Sequence, residues 1–251
     1  MSRKAIIFGI KGIKLSYQEK IFFKKNKPWG IILFSRNIRN INQLKMLTSQ
    51  IRKLFNDKYY PIIIDQEGGN VSRLNKIIDL SFFSQRVFSS LYKSNKKLFL
   101  IFYEIYINKV CDLLNNVGIN INTVPVLDVI RKNSHSIIGT RSFSSNAGLV
   151  TKLGKLCISI YEKNKIAPVM KHIPGHGLST VDSHFKVPRV NESIKNLKRK
   201  DFLPFKKCKT NFAMTAHVIY SSYDLKNTAT HSKKIINTVI RKYIKFNGIL
   251  I

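Results

Sequence analysis

The sequence predicts an α/β barrel of the (β/α)8 kind, incomplete at its C-terminal side with about seven strands, and three observations carry that expectation. First, short apolar runs alternate with helix-length segments about seven times along the 251 residues. Runs that are apolar at every position, not at alternate ones, belong to parallel strands covered on both faces. Second, polar residues sit just beyond four of these runs: Asp65, Asp128, Lys171-His172 and His217. In a barrel those strand ends converge on one face, the face that carries active sites. Third, no GxGxxG follows the first run and there is no Walker motif, which weakens the case for a nucleotide-binding doubly wound sheet. With 44% hydrophobic residues the chain can bury one large core, so a single barrel domain over residues 1–251 is expected.

Taken in order, Lys4 to Ile10 reads as a buried first strand. Ser16-Tyr17-Gln18-Glu19 is a capping-box pattern, so a helix should follow to about Lys25. Gly30 to Phe34 is the second strand. Asn40 can cap a helix in which Ile41, Leu44, Leu47, Ile51 and Leu54 recur at helical spacing. Tyr60 to Ile64 is the third strand, ending in the acidic, glycine-rich turn Asp65-Gln66-Glu67-Gly68-Gly69. Leu80 to Lys93 is ambiguous between a short helix and a loop. Lys96 to Val117 is a long helix stopped at Gly118, and Ile119 to Val124 is the fourth strand, leading into Pro125-Val126-Leu127-Asp128. A loop from Ile137 to Ser145 contains Arg141, and Ala147 to Lys163 is the next helix. Ile166 to Met170 is the fifth strand, and Val169 to Pro188 reads as a long mobile loop, neither helix nor strand. Asn191 to Lys207 holds a helix with Pro204 near its end, and Phe212 to Thr215 is the sixth strand. His231 or Ser232 starts a helix to about Lys245, and Gly248 to Ile251 begins a seventh strand.

The formal net charge of +31 invites a nucleic acid, an anionic lipid or an acidic substrate as partner. The lysines and arginines are scattered, however, with only short clusters such as Lys198-Arg199-Lys200, and no basic arm or RNP-like aromatic motif is present. Abundant Lys, Asn and Ile point to compositional drift, and no nucleic-acid partner is expected. Cys111, Cys157 and Cys208 are odd in number and far apart, which fits a reducing cytosol better than a disulfide framework or a metal site. The first apolar run is cut by Lys11 and no run approaches a membrane span, so a cytoplasmic protein with no membrane partner is expected.

The loop VMKHIPGHGLSTVDSHFKVP holds three of the six histidines, His172, His176 and His184, with Lys171 and Asp182. Asp182 and His184 stand two apart. A carboxylate accepting from one imidazole nitrogen fixes the tautomer, which would make His184 a general acid/base. A surface salt bridge is the plainer reading, and His172, His176, Asp182 and His184 as zinc ligands is a third, although their spacing matches no known metal motif. Asp65 and Glu67 are turn residues or carboxylates that hold a substrate's hydroxyls, with Arg73 as a partner of Asp65 or a ligand donor. Arg141 is a solvated side chain or a donor to a sugar oxygen or carboxylate.

Five elements occur in a telling order: DQEGGNVSRL (65–74), TVPVLDV (123–129), IGTRSFS (138–144), KHIPGHG…DSH (171–184) and MTAHVIY (214–220). Together they resemble the bacterial β-N-acetylhexosaminidases of glycoside hydrolase family 3, over nearly the whole chain and most closely the cytoplasmic, single-domain type of peptidoglycan recycling. The resemblance implies a TIM barrel that removes terminal β-1,4-linked N-acetylglucosamine from muropeptides with retention of configuration. It implies that Asp65, Arg73, Arg141, Lys171 and His172 bind the non-reducing sugar. It makes His184 the acid/base and Asp182 its orienting partner, a departure from the usual pair of carboxylates. It implies a small glycan as partner and neither metal nor cofactor. Asn70 stands where the family usually has arginine, while Arg73 still matches.

The family's nucleophile is an aspartate in an S-D-D-L-like element after the seventh strand. Gly248 to Ile251 matches that strand and the sequence stops before the aspartate, so no nucleophile is assigned. A polypeptide of these residues alone is expected to hydrolyse glycosides poorly and to be poorly stable, because it would leave strand edges and part of the core uncovered. Efficient turnover would leave Asp128 or a second polypeptide to supply the nucleophile. The rival functions are a sugar-binding remnant, a metal-dependent barrel hydrolase and a nucleic-acid-binding protein.

Overall fold

The computed structural model describes residues 3–131, 134–136, 138–181 and 187–251. Its strands are β1 (Lys4–Gly9), β2 (Pro28–Leu33), β3 (Ile62–Ile64), β4 (Ile121–Asn122), β5 (Ala167–Ile173), β6 (Arg189–Val190), β7 (Phe212–Thr215), β8 (Ile219–Tyr220) and β9 (Ile249–Leu250). Seven of them form one parallel sheet in the order β1-β2-β3-β4-β5-β7-β9, while β6 and β8 pair separately. The sheet curls. Trp29 on β2 and Phe212 on β7, which are not neighbours in the sheet, bring their ring centroids to 5.6 Å. They belong to an inner cluster with Ile7, Ile32, Ile63, Ile121, Val169, Met214 and Ile251. This is a TIM-like barrel that the described residues do not close.

Helices cover the outside of the sheet: α1 (Tyr17–Asn26), α2 (Ile41–Phe55), α3 (Gln85–Ser94), α4 (Lys96–Asn116), α5 (Ala147–Lys163), α6 (Ile194–Asn196), α7 (Leu203–Lys207) and α8 (Lys233–Ile235). Alternate strand residues therefore face opposite layers, and β3 shows why its run is unbroken: Ile63 points into the barrel while Ile62 and Ile64 join the helix-side core. The caps are local chemistry. Ser16 Oγ accepts from the Glu19 N–H at 3.2 Å, and Glu19 accepts from the Ser16 N–H at 2.8 Å. Asn40 accepts from the Gln43 N–H at 2.9 Å at the start of α2. The ambiguous stretch after Leu80 becomes a loop and then α3, capped by Ser84.

The structure corrects several expectations. β1 was expected to be buried, yet Lys4, Ala5 and Ile6 are exposed. It stands at one end of the strand order and pairs only with β2 among the described residues, so its apolar residues have one neighbour instead of two. The fifth strand runs on past Met170, and Lys171 to Ile173 is strand and not loop, because Val169, Met170, Lys171 and Ile173 pair in register with Phe212, Ala213, Met214 and Thr215. These are partners more than 40 residues away that no local pattern shows. The helix expected over Asn191 to Lys207 is broken: α6 passes into a π turn at Leu197–Asp201, and α7 restarts at Leu203. Pro204 lies in the first turn of α7, where a missing N–H costs nothing, and it cannot donate back into the preceding turn. The final helix likewise widens to π geometry over Ile236–Tyr243. No helix among the described residues is long and apolar enough to cross a membrane.

Candidate active site

A cavity of about 410 Å³ opens at the carboxyl ends of the strands, lined by residues that include Asp65, Glu67, Arg73, Arg141, Lys171, His172, His176 and His217. The barrel delivers them. Asp65 directly follows β3, Lys171 and His172 lie on β5, and His217 follows β7. Arg141 arrives on a 3₁₀ turn, Gly139–Arg141, anchored by Gln85. The Gln85 amide donates to Val126 O at 2.9 Å and to Arg141 O, and its Oε1 accepts from the Val126 N–H at 3.1 Å.

Lys171 is the hub. Its side chain is 2% exposed, and Nζ lies 2.6 Å from Glu67 Oε1 and 3.2 Å from Asp65 Oδ1. It also donates to Thr123 Oγ1 at 2.8 Å, while the Thr123 hydroxyl donates to Asp65 Oδ1. Arg141 clamps Glu67 in a two-point contact, Nε to Oε2 and Nη2 to Oε1, each 2.8 Å. Arg73 Nη2 stands 3.6 Å from Asp65 Oδ2. Burial by itself would raise both carboxyl pKa values. Lys171, with Thr123 and Arg73 at Asp65 and with Arg141 at Glu67, outweighs burial and holds both below the usual carboxylate range. Both acids are thus ionised acceptors at neutral pH, interleaved with cationic donors.

A second cluster surrounds Asp128, which is fully buried. Its Oδ2 is 2.7 Å from His172 Nδ1, and its Oδ1 accepts the backbone N–H groups of His172 at 3.2 Å and His176 at 2.7 Å. Burial would raise the Asp128 pKa, but His172 and His176 pull it below the ordinary value. The His176 ring lies 5.4 Å from that of His172. Burial first, then repulsion from His172, pushes His176 down to about 4, so it is neutral at neutral pH. The cavity-side geometry leaves both Asp128 oxygens engaged, and the carboxylate is not free to attack a substrate.

The structure therefore brings Asp65, Arg73, Arg141, Lys171 and His172 into one cavity. Asp182 and His184 lie outside the described residues. The turn after β3 needs its glycines, since Gly68 and Gly69 adopt positive φ, and Glu67 before them carries the ion pairs. Sequence reading undervalued Glu67 and Asp128, offered His176 only as a metal ligand, and missed Thr123 and Gln85 as parts of the site. Asp128 had a signal, its position after a strand; Gln85 had none. For the zinc reading, His172 already commits Nδ1 to Asp128, and among the described residues no three His, Cys, Asp or Glu side chains gather as a metal site.

A parallel α/β barrel with an array of carboxylates and cations at the carboxyl ends of its strands has the form of a barrel enzyme with a polar substrate. Residues 7–251 match the glycosyl hydrolase family 3 N terminal domain, and the chain belongs to that family. It is 31% identical over 245 residues to beta-hexosaminidase A of Pseudoalteromonas piscicida, covering 88% of this chain and 40% of that protein. It is 31% identical over 249 residues to a beta-hexosaminidase of Tolumonas auensis, covering 98% and 72%. Among solved structures, native NagZ from Neisseria gonorrhoeae superposes with a TM-score of 0.89 at 28% identity, covering 99% of this chain and 72% of that one. NagZ from the same organism in complex with N-trifluoroacetyl-D-glucosamine gives 0.86 at 30% identity, covering 99% and 73%.

Proposed function

We propose that this site binds a terminal N-acetylglucosamine of peptidoglycan fragments, and that in a chain carrying the family's aspartate nucleophile it hydrolyses the β-1,4 linkage with retention, in the cytoplasm, as part of cell-wall recycling. The observation that carries the reading is the Asp65–Lys171–Glu67–Arg141 array opening into the cavity. A sugar presents hydroxyls that both donate and accept. Ionised carboxylates accept from them, Arg73 and Arg141 donate to them, and Lys171 holds the carboxylates at the sugar's edge or exchanges one of its three partners for a hydroxyl. Pre-paired charges hold their positions before the ligand arrives, so little reorganisation opposes binding. The family membership and the amino-sugar complex of the Neisseria protein support the same ligand class.

In this reading His184 protonates the departing glycosidic oxygen, Asp182 orients it and stabilises the imidazolium, and the aspartate attacks the anomeric carbon to form a glycosyl-enzyme. His184 then takes a proton from the water that releases the sugar. Residues 1–251 hold no aspartate in an S-D-D-L context, and Asp128 is buried. For a polypeptide of these residues alone the proposed outcome is sugar binding without turnover.

The test is His184→Ala in a chain that includes the aspartate. Hydrolysis of N-acetylglucosaminides with poor leaving groups should fall by about 100-fold or more, and aryl substrates with good leaving groups should lose much less. Equal losses on both would make His184 structural. No binding of N-acetylglucosamine to residues 1–251 by calorimetry at millimolar concentrations would remove the sugar-site reading itself.

A further inference from the structure

We infer that Asp128 is a positioning residue that sets the tautomer of His172, so that in the neutral ring the nitrogen left for the cavity, Nε2, is an acceptor for a sugar hydroxyl. The inference rests on the reading of the cavity as a sugar site, and it goes further by assigning a role to a residue that touches no sugar.

The geometry permits one tautomer of the neutral ring. Asp128 Oδ2 stands 2.7 Å from His172 Nδ1, and the carboxylate is ionised. A bare Nδ1 would set its lone pair against a negative oxygen at that distance, so Nδ1 carries the proton and donates it. In the neutral ring Nε2 is then unprotonated. Asp128 is itself held still, since Oδ1 accepts two backbone N–H groups, from His172 and His176. The same carboxylate therefore fixes the ring's chemistry, the strand residue that bears it, and the first turn of the loop that leads on to Asp182 and His184. The charged groups of Arg141, Lys171 and Arg73 that line the cavity are all donors, with no acceptor among them. In its neutral form His172, with a bare Nε2, adds an acceptor on the β5 wall of the cavity that Asp65 and Glu67 also line.

Asp128→Asn keeps the shape and changes the chemistry. The amide oxygen can still accept the two backbone N–H groups, which turns the amide NH2 toward Nδ1. That NH2 must donate, so Nδ1 becomes the acceptor, the proton moves to Nε2, and the cavity meets a donor where it had an acceptor.

The experiment is long-range proton–nitrogen NMR of the histidine rings in residues 1–251, at a pH where the His172 ring is neutral by its own nitrogen shifts, paired with N-acetylglucosamine titration. In the native protein His172 should show a protonated Nδ1 and a bare Nε2; the opposite tautomer overturns the inference. In Asp128→Asn the tautomer should invert and N-acetylglucosamine binding should weaken about tenfold or more, as for the loss of one matched hydrogen bond to a buried polar site. An unchanged tautomer or unchanged affinity in a folded Asn variant also overturns it. If the Asn variant does not fold, the native spectrum decides alone. A native protein that shows the expected tautomer but binds no N-acetylglucosamine overturns the sugar-site reading and leaves the tautomer assignment standing.

Discussion

Replacing Lys171 by methionine removes the cation from the centre of the site while keeping most of its volume. Nζ is the shared partner of Glu67 at 2.6 Å, Asp65 at 3.2 Å and Thr123 at 2.8 Å. Without it, Glu67 keeps the two contacts to Arg141, and Asp65 keeps the Thr123 hydroxyl and Arg73 at 3.6 Å. Breaking one partner out of a buried ion pair costs about 3–5 kcal/mol. The remaining cations place this variant toward the lower end, about 3 kcal/mol at pH 7, a large share of the about 5–15 kcal/mol that holds a domain together. The pH dependence follows from the direction of the shifts. Asp65 and Glu67 have folded pKa values below their unfolded values, which are about 3.9 and 4.3. Their stabilisation is full above the unfolded values and is lost as pH falls through the folded ones. Without Lys171 both carboxylates protonate at higher pH, so the deficit of the variant should narrow below about pH 4. Urea unfolding of both proteins at pH 7 and at pH 3–4 measures this. A methionine variant within about 0.5 kcal/mol of the native protein at pH 7, or a deficit that does not change with pH, would refute the coupling of Lys171 to the two acids.

Two further substitutions probe the frame. Gly68→Ala should destabilise by about 2 kcal/mol or more, because Gly68 has φ +86° and an added Cβ would lie 2.2 Å from the Phe83 carbonyl oxygen, which is backbone and cannot swing aside; a denaturation midpoint equal to the native one would contradict this. Phe102→Lys on the outer face of α4, where Phe102 is 53% exposed beside Leu98, Ile101 and Ile105, should shift stability by no more than about 0.5 kcal/mol in thermal unfolding. A loss of 2 kcal/mol or more there would mean that this face is covered in the folded protein.

The sequence alone determined what depends on neighbours a few residues apart or on the general form of a barrel. The apolar runs located the seven strands of the main sheet, because a strand covered on both faces is mostly apolar along its length, with polar residues such as Asn122, Lys171 and His172 confined to the end that faces the cavity. Ser16 with Glu19, and Asn40, announced two helix starts because a cap closes on an N–H three residues on. The convergence of Asp65, Lys171 and His172 was legible because parallel strands in a closed ring end on one face. Tertiary structure decided what depends on distant pairing. Lys171 and Asp65 are 106 residues apart, and only the sheet order brings them to 3.2 Å. The strand character of Lys171 to Ile173 comes from hydrogen bonds to β7, and the exposure of β1 comes from its place at the end of the strand order. Asp128 reads in the sequence as one more acid beside the cleft; its burial and its three donors, 44 and 48 residues away, make it a carboxylate that shapes the site without entering it. A side chain's chemistry is written in its type, but which of its atoms remain free for a ligand is settled by partners that only folding supplies.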